Sequence, residues 1–199
     1  MYFTAVVMAL TMWACQGTKQ SADSTKSGDF KSSANVKLDG KPIEVSGVTF
    51  TPPSTWKDLG PSGMRNANYT YGPFEGEKDS ATMAIFYFGQ NQGGDPKSNI
   101  ERWIGQMQMP DGSDPHKHAT TQEAKAGDFL IHWVQVEGTY MSGGMMGGAT
   151  VPKEHYLMAG AVVEAPQGSI FCKLTGPEKT ATKMIEEFKA ALMGIKKAG

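Results

Sequence analysis

The chain has 199 residues, 39% of them hydrophobic, with 19 Lys plus Arg against 20 Asp plus Glu and a formal net charge of −1 at pH 7. That length suffices for one sizeable domain, and the even charge gives no electrostatic reason to bind nucleic acid. No dinucleotide fingerprint, phosphate loop or GxSxG elbow is present.

Residues 2–14, YFTAVVMALTMWA, carry no charge. As a helix they reach about 20 Å, short of a hydrocarbon core of roughly 30 Å. They therefore predict the apolar part of a signal peptide over 1–14, not a transmembrane span. Cys15 follows Ala14 and opens a polar stretch with one aromatic, Phe30, and no aliphatic residue larger than Ala up to Ala34. Such a segment buries too little to order itself, so 15–35 is expected to be a flexible tether of roughly 25 Å r.m.s. length.

This layout resembles the lipobox of bacterial lipoproteins, in which a signal peptidase cuts before a lipid-modified cysteine. Met12, Trp13 and the lack of any Lys or Arg before Lys19 depart from that pattern. The resemblance implies acyl chains, palmitate among them, on Cys15. It also implies attachment to the cell membrane or outer membrane, with the domain in the periplasm or elsewhere outside the cytoplasm. Cys172 is then the remaining thiol, and no intramolecular disulfide can form.

Residues 36–199 read as a single domain. Residues 48–51 predict a strand stopped by Pro52 and Pro53, with Trp56 folding back on the core. Residues 65–71 predict a strand with Ala67, Tyr69 and Tyr71 on one face. Residues 81–88 predict a strand buried on both faces, because apolar side chains fall on both alternations. Residues 98–107 predict a helix, with Ser98 and Glu101 at capping-box spacing and Ile100, Trp103, Ile104 and Met107 on one face. Loop or short strand is expected at 116–121, and strands at 129–137, 155–163 and 169–174. The glycines around Met145 and Met146 mark a turn or hairpin tip. A final helix is expected to be capped by Thr175 and Glu178, with Pro177 in its first turn. Its apolar stripe is Ala181, Met184, Ile185, Phe188, Ala191, Leu192 and Ile195. Together these elements predict an α+β domain, an antiparallel sheet of about six strands with at least two packed helices.

The run GVTFTPPSTW, the aromatic strands after it, the mid-chain helix and the terminal strand–strand–helix resemble the Mog1/PsbP-like sandwich over about residues 44–193. That group contains photosystem accessory proteins, a nuclear-transport factor and secreted bacterial lipoproteins. The resemblance implies a fold. Its members share no common active site, so it implies no site residue.

Several side-chain clusters carry possible chemistry. Asp111, Asp114, His116 and His118 lie within one short stretch. On a strand, the two imidazoles point the same way and, with a carboxylate, suit zinc or copper(II). Met141, Met145 and Met146, with Met107, Met109 and His155 as further donors, suit copper(I). Loop residues and adaptable filler are the plainer readings of both clusters. His132 alternates with Leu130, Val134 and Val136 and is expected to be a buried imidazole satisfied by a neighbour. Cys172 reads as a small core hydrophobe. Trp56, Trp103, Trp133, Tyr69, Tyr71, Tyr87 and Tyr156 can line a ligand or peptide groove, though a core of this size claims most of them first.

The functional expectation is a noncatalytic binding or accessory protein of the cell envelope, partnered by an envelope protein and needing no cofactor. The alternatives are a periplasmic metal-handling protein using His116, His118 and the 141–146 methionines, and a small hydrolase with an unrecognised site.

Overall fold

The computed structural model describes residues 30, 35–74, 76–143 and 149–199. The expected leader, Cys15, Met145 and Met146 therefore lie outside the described residues.

β1 (Ile43–Val45) and β2 (Val48–Phe50) form a hairpin whose two loop residues, Ser46 and Gly47, both have positive φ, at 52° and 73°. Such a turn matches the right-handed twist of the strands it joins, and glycine takes that backbone at no steric cost. β3 (Lys57–Asp58), β4 (Arg65–Tyr71) and β5 (Ala81–Tyr87) follow.

α1 (Pro96–Ile104) begins two residues before the expected start at Ser98 and ends three before the expected end at Met107; Asp95 is its N-cap and accepts the Ser98 amide at 2.9 Å. Ser98 is thus inside the helix, its hydroxyl donating back to Asp95 at 2.6 Å, and the capping pair expected from Ser98 and Glu101 is not used. Pro96 at the first helical position loses no intrahelical bond. β6 (Met107–Gln108), a 3-10 turn (Pro115–Lys117), β7 (Thr120–Ala126), β8 (Phe129–Ser142), β9 (Val151–Glu164) and β10 (Ile170–Pro177) come next. The chain ends with α2 (Glu178–Met193) and β11 (Lys196–Lys197).

The main sheet has 8 strands in the order β3-β4-β5-β10-β9-β8-β6, with β7 pairing the first half of β8, and every pairing is antiparallel. A second sheet of 3 strands runs β1-β2-β11. The α+β class and the two packed helices match the sequence reading, whereas the main sheet is larger than the expected six strands. The extra pairings come from two-residue edge strands, too short to leave a periodic signal, and from β7, whose polar alternation disguised it.

The two helices cover opposite faces of the sheet. Beneath α2, Met184, Phe188 and Leu192 meet Ile131, Trp133, Leu157, Ala161, Cys172 and Leu174 in one core, closed at its end by Val45, Val48 and Phe50 of the small sheet. Each fully buried side chain of this size contributes about 1.5–3 kcal/mol before ordering entropy is subtracted. α2 lacks the expected Thr175–Glu178 cap; its N-cap is Pro177, with no side-chain bond. Instead the Glu77 carboxylate accepts the Lys179 amide at 3.0 Å, the Thr180 amide at 2.8 Å and the Thr180 hydroxyl at 2.5 Å. Burial opposes the charged carboxylate, yet these donors outweigh it and hold the Glu77 pKa below the usual range.

Phe30, the aromatic in the stretch expected to be a tether, is buried at 6% exposure and meets Trp133 edge-on at 5.2 Å. On the opposite face, Trp103 and Ile104 of α1 cover Val134, Val136, Met158, Val162 and Phe171. Gly160 lets this happen, since a Cβ there would lie 2.4 Å from the Trp103 ring. The helix is thereby pressed onto β9 and leaves open sheet on both of its flanks.

Candidate functional site

One flank of α1 borders a groove of about 1030 Å³, walled by Lys97, Ile100, Glu101 and Ile104 and by the 116–119 loop, and floored by β7, β8 and the end of β9. Alternation along β8 decides what reaches the floor. Ile131 and Trp133 join the core under α2, so His132 and Val134 face α1. Glu123 is the register partner of His132, and Glu164 closes from the other side.

His132 is held between these carboxylates, with Nδ1 3.1 Å from Glu123 Oε1 and Nε2 2.7 Å from Glu164 Oε1. Its side chain is 15% exposed. A mostly covered imidazole satisfied by neighbours is the expected arrangement, but two acids rather than one supply it. Neither Glu123 nor Glu164 was singled out from the sequence. The signal available was a titratable residue on an otherwise apolar strand face, which requires partners on both adjacent strands.

His116 and His118 also line this groove, but not as a pair. Asp114 caps the 3-10 turn by accepting the His116 amide, and Pro115 sets the turn's first φ. The expected strand geometry, with both rings on one side, is therefore replaced by a turn that points them at different partners. His116 Nδ1 lies 2.7 Å from Asp114 Oδ1, and its Nε2 lies 2.9 Å from Glu101 Oε2 on α1. The Asp114 bond is the largest influence on this ring. Burial opposes it, and Glu101 adds to it, so the His116 pKa is raised above its ordinary value. His118 Nε2 instead meets the Ser113 hydroxyl at 2.8 Å. Asp111 accepts the Ser113 amide at 3.0 Å, which fixes the loop.

Among the described residues, no group of three or more His, Cys, Asp or Glu gathers to hold a metal. Of the methionines read as copper ligands, Met141 pairs with Pro152 at the far end of β8, while Met107 and Met109 are buried in the α1 core. His155 sits on β9 at a positive φ of 54°. The Ser113–His118 contact brings a hydroxyl to an imidazole on an exposed loop, and among the described residues no carboxylate lies within ion-pair distance of that ring. Cys172 is fully enclosed, and burial pushes its thiol up to about 12. Of the aromatics, Trp56, Trp103, Trp133 and Tyr69 are core, and Tyr71, Tyr87 and Tyr156 lie outside the groove.

The groove thus presents Asp95, Glu101, Glu123 and Glu164 against Lys97 and Lys117, with three imidazoles among them. Such a surface favours a cationic partner group over an anionic one.

No family model matches the chain, and no curated protein is similar to it in sequence. Among solved structures it is similar to LpqN of Mycobacterium tuberculosis, a protein involved in cell envelope biogenesis, with a TM-score of 0.50 and 13% identity over 79% of this chain and 84% of that one. It is also similar to the PsbP protein of the cyanobacterium Synechocystis, with a TM-score of 0.46 and 10% identity over 85% and 99%. A Bacteroides thetaiotaomicron protein gives a TM-score of 0.41 and 12% identity over 80% and 49%. Likeness at these identities is one of fold alone.

Proposed function

We propose that this chain is a lipid-anchored accessory protein of the cell envelope, tethered through Cys15 and acting by noncatalytic binding, with a domain of the Mog1/PsbP-like kind. The groove beside α1 receives a basic segment of an envelope protein. What carries this reading is the acidic excess of that groove, set on a folded domain with an anchor-like sequence ahead of it. The fold likeness to LpqN is consistent with an envelope setting.

Two experiments test the two halves. Cys15→Ser in the full chain is expected to move the protein from the membrane fraction to the soluble fraction; equal retention of the variant overturns the anchor. A photo-crosslinking residue at Thr121, inside the groove, is expected to capture a basic envelope protein, and the capture is expected to fall as salt rises. The same residue at Lys183 on α2 serves as the control. Identical capture from both positions, or capture indifferent to salt, removes the groove from the proposal.

A further inference from the structure

The other flank of α1 has the opposite chemistry. The chain contains two arginines, Arg65 and Arg102. The fold brings Arg102 of α1 near enough to Lys173 of β10 to repel it, and Arg65 of β4 near enough to act on Tyr140, whose hydroxyl lies 3.3 Å from Lys173 Nζ. Asn68, Ala84 and Lys173 occupy one row across β4, β5 and β10, and their side chains share the α1 face. Ala84, between the other two, is buried.

Each arginine is held by a buried asparagine. Arg65 Nη1 donates to Asn68 Oδ1 at 2.9 Å, and Arg102 Nη2 donates to Asn99 Oδ1 at 2.5 Å. Asn99 is itself fixed, its amide donating to the Gly93 and Asp95 carbonyls at 2.8 and 2.9 Å. Asn68 is 8% exposed and Asn99 3%. Burying an amide costs free energy unless it is bonded, and here both amides spend a bond on orienting a guanidinium. Neither arginine nor Lys173 forms an ion pair with a described carboxylate.

Lys173 is half-buried. Its Nζ bonds Gln106 Oε1, lies 3.3 Å from the Tyr140 hydroxyl, and stands 5.0 Å above the Tyr140 ring. Desolvation, with Arg102 adding repulsion, depresses its pKa to about 8. Lys153, the next cation along this face, is already neutralised by Asp79 at 3.1 Å. Beside Arg65, its register partner Phe86 stacks on Phe88 at 6.0 Å and forms an apolar ledge. Three cations on one face with no ion-paired carboxylate among the described residues, two of them held by buried amides, are favourable ground for an arriving anion.

We propose that Arg65, Arg102 and Lys173 form a binding site for a phosphate monoester, with the phosphoryl oxygens taken by the guanidinium forks and the ammonium and the ester's organic part lying toward Phe86 and Phe88. Two forks and an ammonium suit a dianion with several oxygens better than a single carboxylate. Free phosphate and a phosphorylated headgroup share this chemistry.

The test is calorimetric titration of the full chain, in detergent, with glycerol phosphate, inorganic phosphate and acetate. Glycerol phosphate or inorganic phosphate is expected to bind, and acetate far more weakly. Tighter binding of glycerol phosphate assigns the site to an ester headgroup, and equal binding assigns it to phosphate itself. Arg102→Gln and Arg65→Gln, both at exposed positions, are each expected to weaken binding roughly 10- to 100-fold with the thermal transition unchanged. Lys173→Met is expected to weaken binding to the same extent, with the thermal transition raised rather than lowered. Acetate binding as tightly as phosphate, phosphate affinity unmoved in both arginine variants, or no binding of either phosphate probe at tens of millimolar overturns the site.

Discussion

The two flanks of α1 differ by a rotation of about one residue along the helix and by everything in their chemistry. Lys97, Ile100, Glu101 and Ile104 border carboxylates and imidazoles, whereas Arg102, held by Asn99, lies near Lys173. On the acidic side Glu101 meets His116, and Glu123 and Glu164 hold His132 between them, so these three carboxylates each face a ring of switchable charge. On the basic side, among the described residues, Arg65, Arg102 and Lys173 are held by neutral amides and a phenol. A satisfied cluster stabilises the fold; an unsatisfied one stores a preference for something absent from the chain. Exposure and charge count alone do not distinguish the flanks; the partners of the charges do.

The largest break in this comparison is expected from Trp103→Ala. Trp103 seats α1 on Gly160 and so separates the flanks. Its loss is expected to cost about 3–5 kcal/mol in urea unfolding. It should perturb both flanks together; a variant that loses only one would show that they are built independently.

Lys173→Met sharpens the contrast, with an expected gain of about 1 kcal/mol at neutral pH because a charge without a carboxylate is replaced by a methylene chain of similar length. The pH dependence gives the sign. A folded pKa of about 8, below the ordinary 10.5, means that the folded state sheds the proton first. Wild-type stability should therefore gain a contribution as pH rises from about 8 to 10.5, and the variant should lack that gain. Parallel curves for the two proteins would remove Lys173 as a strained group.

The smallest effect is expected at His116. Its raised folded pKa stabilises the protein fully below about pH 6.5 and loses that contribution as pH rises through the folded value. Above it, a neutral ring has one N–H and cannot donate to both Asp114 and Glu101. The ring is exposed enough for water to screen it, so His116→Asn should cost about 0.3 kcal/mol at pH 5.5 and less at pH 8. NMR titration of the imidazole checks the direction; a pKa at or below 6.5 contradicts the double contact.

Outside the flanks, Tyr69 provides a control on the α2 face. Its buried hydroxyl has no hydrogen-bond partner among the described residues, and burial pushes its pKa up to about 12. Tyr69→Phe should leave both flanks unchanged and stability equal or higher by about 1 kcal/mol in the same unfolding assay.

Periodicity in the sequence was enough to determine the α+β class, the apolar stripe of α2 and the core face of β5, because each is written in the spacing of neighbours along the chain; the second face of β5, expected to be buried as well, is exposed at Thr82 and only partly covered at Phe86. It also marked His132 as an oddity on an apolar face and Cys172 as core. Tertiary structure alone decided the rest. Glu77 caps α2 from a distant loop, in place of the local pair Thr175 and Glu178. Asp114 and Pro115 turn His116 away from His118. Arg65 and Arg102 carry no local pattern, and they share one face of the sheet only through the strand order β4-β5-β10-β9 and the seating of α1 on β9. A cap, a coordination set or a charge cluster is a relation between side chains in space, and sequence spacing records such relations only within one helix turn or one strand.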